Sequence, residues 1–435
     1  MRRSAIIIVL AVALCPMSLS AQDWPAPDPE ILERAKALLA EAPLIDGHND
    51  IPTLLFEVFG GDLSKGDIGV HQPRLPADIP RLREGRVGGQ FWVAFVPSST
   101  MQTGGALREV LAQIDMIHRL VERYPDLELA LTAADIERVH TKGKIASLIG
   151  IEGGHSIESS LAALRMVHRL GARYMTLTHF GTTDWADAAT DFPRHGGLTE
   201  FGEDVVREMN RLGMFVDLSH VSPQTMRDAL RVSRAPVIFS HSGAQAVSSH
   251  VRNVPDDVLR LLAENRGVIM VDFIAGYTAP TPEDWSRTKS SLSENARFAV
   301  RQSHEEPSYV ARRMAFTEKL HEELDDDKEI AQRLDAWAKE NPPPRATVGD
   351  VANHIEHIVE VAGIDHVGIG SDLYYEDYMA VGMEDCSKYP LLFAELLKRG
   401  HSEEDLKKVA GGNLLRAMRE MEKAAEDLRS RDTNN

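Results

Sequence analysis

Eight apolar runs, separated for the most part by stretches of helical periodicity, constrain the fold more than any other feature of the chain. They fall at 44–46, 89–95, 145–151, 174–177, 214–218, 237–240, 268–273 and 367–370. A strand covered on both faces has no polar side to present, so it reads as an unbroken hydrophobic run. Between the runs, 107–121, 160–170, 202–212, 223–231 and 255–264 place apolar residues three and four apart, the spacing of a helix with one buried face. Ser222 before Pro223, and Pro255 before Asp256 and Asp257, are helix-start signals. Alternating strands and helices predict an α/β protein with a parallel sheet, and eight such units predict a (β/α)8 TIM-like barrel. No glycine-rich dinucleotide fingerprint follows the first run, which counts against an open cofactor-binding sheet.

The chain has 435 residues, long for an average domain but within reach of one barrel with an insertion. Residues 22–428 are read as that single domain. The stretch 281–346, between the seventh and eighth runs, is charged and contains Asn341-Pro342-Pro343-Pro344. It reads as a solvated helical insertion on the rim, with a lid or a dimer contact as the sharper reading. Residues 429–435 read as a disordered tail. At the other end, Arg2 and Arg3 precede an apolar stretch at 5–14 and small residues at Ser18, Ser20 and Ala21, the pattern of a signal peptide over 1–21. The expectation is an exported protein, periplasmic or secreted, with no transmembrane anchor after cleavage. A lipoprotein site at Cys15 is disfavoured by the bulk of Leu14. Cleavage would leave Cys386 as the only cysteine and exclude an internal disulfide. A formal net charge of −18 argues against nucleic acid as a partner.

In a barrel, the residues just beyond the C-terminal ends of the strands surround one site. Here the first run leads to His48 and Asp50, the third to Glu152 and His155, the fourth to His179, the fifth to His220, the sixth to His241 and the eighth to Asp372. Any one of these has an ordinary structural explanation, and His155 and His250 are read as hydrogen-bonded rim residues. Six strand ends together have no structural purpose on a barrel rim. His48 and Asp50 lie two apart, which on a strand turns both side chains to one face. Imidazoles and carboxylates without thiolates suit a hydrolytic zinc site. The set is large enough for two Zn2+ ions about 3.5–4 Å apart, with Glu152 the natural bridge beside a water that ionises near neutral pH and serves as nucleophile.

These motifs resemble the renal, or membrane, dipeptidase family of zinc peptidases, as a bacterial exported member. The matching stretches are Asp46-Gly-His-Asn-Asp50, Val87-Gly-Gly-Gln-Phe-Trp92, Ile151-Glu-Gly-Gly-His155, Tyr174-Met-Thr-Leu-Thr-His179, Asp217-Leu-Ser-His220, Ser240-His-Ser242, His250-Val-Arg-Asn-Val-Pro-Asp-Asp257 and His366-Val-Gly-Ile-Gly-Ser-Asp372. The resemblance implies that His48 and Asp50 bind one zinc, that His220 and His241 bind the other, and that Glu152 bridges them. It implies that His179 stabilises the oxyanion, that Asp372 is the general acid/base, and that Arg252 and Tyr277 hold the terminal carboxylate of a dipeptide substrate. Two departures border the site. The eighth-strand motif reads Asp372-Leu373-Tyr374-Tyr375-Glu376 where relatives often have Asp-Phe-Asp-Gly, and the 281–346 insertion is longer than in mammalian relatives. The mammalian enzymes are lipid-anchored, disulfide-linked dimers. Neither the anchor nor the disulfide carries over, and a homodimer is left open.

The function expected is a binuclear zinc dipeptidase, with D-residues at the C-terminal side and β-lactams as further family substrates. The alternative is another metal-dependent barrel amidohydrolase, such as an N-acyl amino acid deacylase or a lactonase. Those sites usually open on His-x-His and bridge their metals with a modified lysine, whereas this chain has His48-x-Asp50 and Glu152. A non-enzymatic protein that kept the barrel would be marked by a lost ligand, and none is lost.

Overall fold

The computed structural model describes residues 25–279, 346–375 and 378–432, with isolated positions between 316 and 337. The expected signal peptide and nearly all of the 281–346 insertion lie outside the described residues. Among the described residues nine parallel strands form one sheet: β1 (Leu44–Asn49), β2 (Val87–Phe95), β3 (Leu127–Leu129), β4 (Ile145–Glu152), β5 (Ala172–Thr176), β6 (Phe215–Asp217), β7 (Ile238–Phe239), β8 (Val268–Val271) and β9 (Val367–Ile369). All eight expected runs are strands. Their order is β2-β1-β9-β8-β7-β6-β5-β4-β3, and a further β2–β4 pairing, from Gly89↔Ala146 to Phe95↔Glu152, closes eight of them into a barrel. The ninth, β3, pairs with Ile145 to Ser147 of β4, while β5 pairs with Ile149 to Glu152. β3 thus covers the edge that β5 leaves open. Its three residues, Leu-Glu-Leu, are too few to register as a period.

The pleat sorts the side chains into two cores. Ile45, Phe91, Val93, Ala146, Leu148, Phe215, Ile238, Val268 and Met270 fill the barrel, which Leu414, Leu415, Met418 and Met421 of the last helix join from one end. Their strand neighbours Trp92, Ile149, Val216, Ile269 and Val271 face the other way, into the layer under the helices. One end of the barrel is therefore sealed by hydrocarbon, and polar chemistry is confined to the other.

The helices form where the periodicity places them. Pro223–Val232 covers the expected 223–231 and starts from the Ser222 cap, and Val348–Ala362 and Tyr389–Lys398 are helices of the same outer layer. The last helix, Asn413–Asp432, continues four residues into the expected tail, so 429–432 are helical rather than disordered. Arg429 ties that end down by donating to the Arg211 and Leu212 carbonyls. Among the described residues, no helix is long and apolar enough to cross a membrane.

Candidate metal centre and active site

The polar residues beyond the strands meet at one point. His48 Nε2 lies 3.8 Å from Asp50 Oδ2, 3.8 Å from Glu152 Oε2 and 3.7 Å from Asp372 Oδ1. The other oxygen of Glu152, Oε1, faces His220 Nε2 at 2.8 Å, His241 Nε2 at 3.4 Å and His179 Nε2 at 3.8 Å. Glu152 therefore stands between two sets of groups, one oxygen to each. His48–Glu152–His241, Glu152–His179–His220 and His48–Asp50–Asp372 each bring their ligand atoms within 4.8 Å of one another. All of these residues are buried except Asp372, which is partly exposed.

Local structure explains the convergence, and in one case corrects the reasoning that anticipated it. β1 ends at Asn49, and Asp50 is the N-cap residue of helix Ile51–Phe59. His48 and Asp50 meet across a strand-to-helix turn, not on one face of a pleat. Glu152 is the last residue of β4 and continues the inward row of Ala146 and Leu148. Gly153 follows it with φ 106°, a backbone that side chains rarely adopt. His220 and Asp372 take positive φ, 69° and 55°, although neither is glycine. Non-glycine residues in that region cost about 1–3 kcal/mol each and cluster at functional sites.

The imidazoles are set up as ligands. Tyr174 Oη donates to the Gly47 carbonyl at 3.1 Å and lies 3.0 Å from His48 Nδ1. Gly150 makes room for that ring, because a Cβ there would fall 2.1 Å from Tyr174 Cζ. Ser240 Oγ donates to Asp217 at 2.5 Å and lies 2.8 Å from His241 Nδ1. Each hydroxyl, having spent its proton, accepts one from Nδ1, which turns the Nε2 lone pair toward the centre. His48 Nε2 is buried with no hydrogen-bond partner among the described residues. Burial holds His48, His179, His220 and His241 well below the usual imidazole pKa, and hence neutral. Burial and mutual repulsion push Asp50 and Glu152 well above the carboxylate range. Neutral imidazoles and crowded acids are a donor set that a divalent cation would satisfy.

Arg252 is 1% exposed and donates from Nη2 to the His241 carbonyl at 3.4 Å, while its Nε and Nη1 have no partner among the described residues. The ring of Tyr277, on the short helix Ala275–Thr278, lies 5.4 Å from its guanidinium carbon. His155 Nε2 lies 3.3 Å from the Pro97 carbonyl, and His250 Nδ1 accepts from the Arg252 amide, as suits rim residues. Every residue expected at the site is thus near its centre or beside Arg252.

Residues 32–432 match the family model described as membrane dipeptidase, peptidase family M19. The chain belongs to the membrane dipeptidase family. Dipeptidase 3 of Rattus norvegicus is 40% identical over 405 residues, covering 92% of this chain and 69% of that protein. Dipeptidase 3 of Mus musculus is 39% identical over the same length, covering 92% of this chain and 68% of that one. Among solved structures, the probable dipeptidase PvdM from Pseudomonas aeruginosa superposes with a TM-score of 0.73 at 24% identity, covering 91% of this chain and 99% of that chain. A metallo peptidase from Rhodobacter sphaeroides, liganded with a phosphinate mimic of the dipeptide L-Ala-D-Ala, gives 0.66 at 23% identity, with 87% and 99% covered. These two establish the shared barrel. Membership makes the protein an enzyme of the metallodipeptidase class.

Several residues of this family member's site were not singled out in the sequence. Ser98 Oγ lies 3.3 Å from His179 Nδ1. Asp46 and Asp217 tie strand ends together, and Asp272 sits buried beside Arg252 and Asp372. Asp272 lay hidden inside the expected run 268–273, whereas β8 ends at Val271 and leaves it the first residue beyond. Ser98 carries no signal of its own, since serine in a loop is commonplace.

Proposed function

We propose that this protein is a binuclear zinc dipeptidase that hydrolyses dipeptides with a free C-terminal carboxylate. The observation that carries this reading is Glu152, whose two oxygens face separate groups of ligand atoms. In this reading His48 and Asp50 hold one ion, His220 and His241 hold the other, and Glu152 is shared. When bound, the two ions supply Lewis acidity and make hydroxide available near neutral pH.

The chain's own residues supply the rest. Arg252 presents two unpartnered donors to the substrate carboxylate, and a guanidinium fork suits a bidentate grip. Tyr277 lies against Arg252 and completes that end of the pocket. A Ser98 hydroxyl donating to His179 Nδ1 leaves the proton on Nε2, where it can meet the developing oxyanion. Burial pushes Asp372 up to about 6, against the opposing pull of Arg252. A carboxyl titrating there can accept a proton and return it to the leaving amine at neutral pH. Export to the periplasm or outside the cell follows from the 1–21 segment and belongs to the same reading.

The test is metal analysis of purified protein with a panel of dipeptides of both stereochemistries. Two zinc ions per chain and turnover of at least some dipeptides are expected. Metal-loaded protein that cleaves none would overturn the reading. Asp372→Asn should retain the metals and lose about 10²–10⁴-fold in kcat, the usual worth of a general acid/base.

A further inference from the structure

The chemistry above leaves one acid of the barrel mouth unused. Asp272 follows β8 directly. Val268 and Met270 face the barrel interior while Ile269 and Val271 face the outer layer, so the alternation directs Asp272 inward, above Met270. It is 1% exposed, and among the described residues neither carboxylate oxygen has a hydrogen-bond partner of normal geometry. The Ile274 amide comes after three larger influences on it. Buried polar atoms are rarely left so without a function.

Its charged neighbours say what that function is. Asp372, beyond β9, and Arg252, beyond β7, both act on it electrostatically. These are the groups assigned above to the nitrogen and to the carboxylate of the substrate's C-terminal residue. A residue held at both of those ends has only its side chain left to place. Arg252 is as closed to solvent as Asp272.

We propose that Asp272 reads the side chain of the substrate's C-terminal residue, favouring cationic and hydrogen-bond-donating side chains over acidic ones. The inference rests on the dipeptidase reading. Burial and Asp372 push Asp272 up to about 8, so the group gains most from a ligand that brings positive charge. An acidic side chain would add a like charge beside Asp372 and leave the buried oxygens unpaired. Sites built around a hydrogen bond reject ligands that lack it more strongly than apolar pockets reject a change of size.

The experiment holds the N-terminal residue constant and compares kcat/KM for dipeptides ending in Lys, Asn, Ala and Glu. The zinc-loaded wild type is expected to prefer Lys over Glu by about tenfold or more. Asp272→Asn should bring the two within about threefold, mainly through KM, with metal content and melting temperature retained. A merely structural role would lower all four substrates alike. Should Asp272→Asn not fold, Asp272→Ser is read in its place. A wild-type ranking preserved in the variant overturns the inference, as does a wild type that treats Lys and Glu alike. Both results leave dipeptidase activity standing. A wild type that cleaves no dipeptide overturns that reading and this one with it.

Discussion

Two sets of acids stand at the strand ends and live in opposite surroundings. Asp46 accepts from the Ser371 amide and hydroxyl, both at 2.7 Å, from Gln90 Nε2 at 2.8 Å and from Tyr389 Oη at 2.8 Å. Asp217 accepts from the Ser240 amide and hydroxyl at 2.8 and 2.5 Å, from Thr176 Oγ1 at 2.5 Å and from the Ser219 amide at 3.1 Å. Burial raises both pKa values, and these neutral donors oppose the rise. The second set, Asp50, Glu152, Asp272 and Asp372, has mainly one another and Arg252 for electrostatic company. The first set ties neighbouring strands and fixes where the ligands point. The second is crowded with like charge, and that repulsion is what a metal ion and a substrate can relieve.

The largest test of this contrast is Glu152→Gln. It removes the one group that faces both ligand sets, and should cost about four orders of magnitude in kcat/KM and lower the bound metal, with the far-ultraviolet circular dichroism unchanged. If the variant keeps both ions and most of its activity, Glu152 is not a shared ligand.

Asp217→Ala attacks the first set. Removing a buried acceptor strands four donors, and a loss of about 3 kcal/mol in urea unfolding is expected. The loss should persist in the presence of a chelator, because these bonds form without the metal. A penalty confined to the metal-loaded protein would erase the distinction between frame and site.

The smallest effect concerns a histidine of the frame. His354 Nδ1 accepts from the Ala244 amide at 2.8 Å and its Nε2 lies 3.1 Å from the Thr278 carbonyl, an arrangement only the neutral ring allows. Burial lowers its pKa to about 4. The unfolded chain takes up this proton near pH ~6.5 and the folded chain only near 4, so stability is full above the first value and falls as the pH drops toward the second. The fall should reach roughly 2–3 kcal/mol. Unfolding free energies at pH 7 and 4.5 should differ less in His354→Gln than in the wild type by about that amount.

The barrel was legible because burial on both faces leaves an unambiguous trace: 145–151 and 89–95 have almost no polar residue to interrupt them. β3 was not, because three residues that merely complete another strand's edge need no pattern. The ligands were legible because each lies within four residues of the end of an apolar run. Asp272 was missed for the complementary reason. One acid among apolar residues of a run has no neighbour to mark it, and only the end of pairing at Val271 shows that it faces the mouth.

By itself, then, the sequence determined the fold class, the order in which strands deliver their polar ends, and the chemical kind of site those ends can make. These are consequences of composition and period, which act locally along the chain. Tertiary structure alone decided the rest. It chose which oxygen of Glu152 faces which imidazoles, made Asp50 a helix cap rather than a strand residue, and held His220 and Asp372 in strained backbone. It also separated the acids that neutral donors satisfy from those that mainly repel one another. The reason is that a hydrogen bond or a repulsion between groups as distant in sequence as Asp46 and Tyr389 exists only once the barrel has closed.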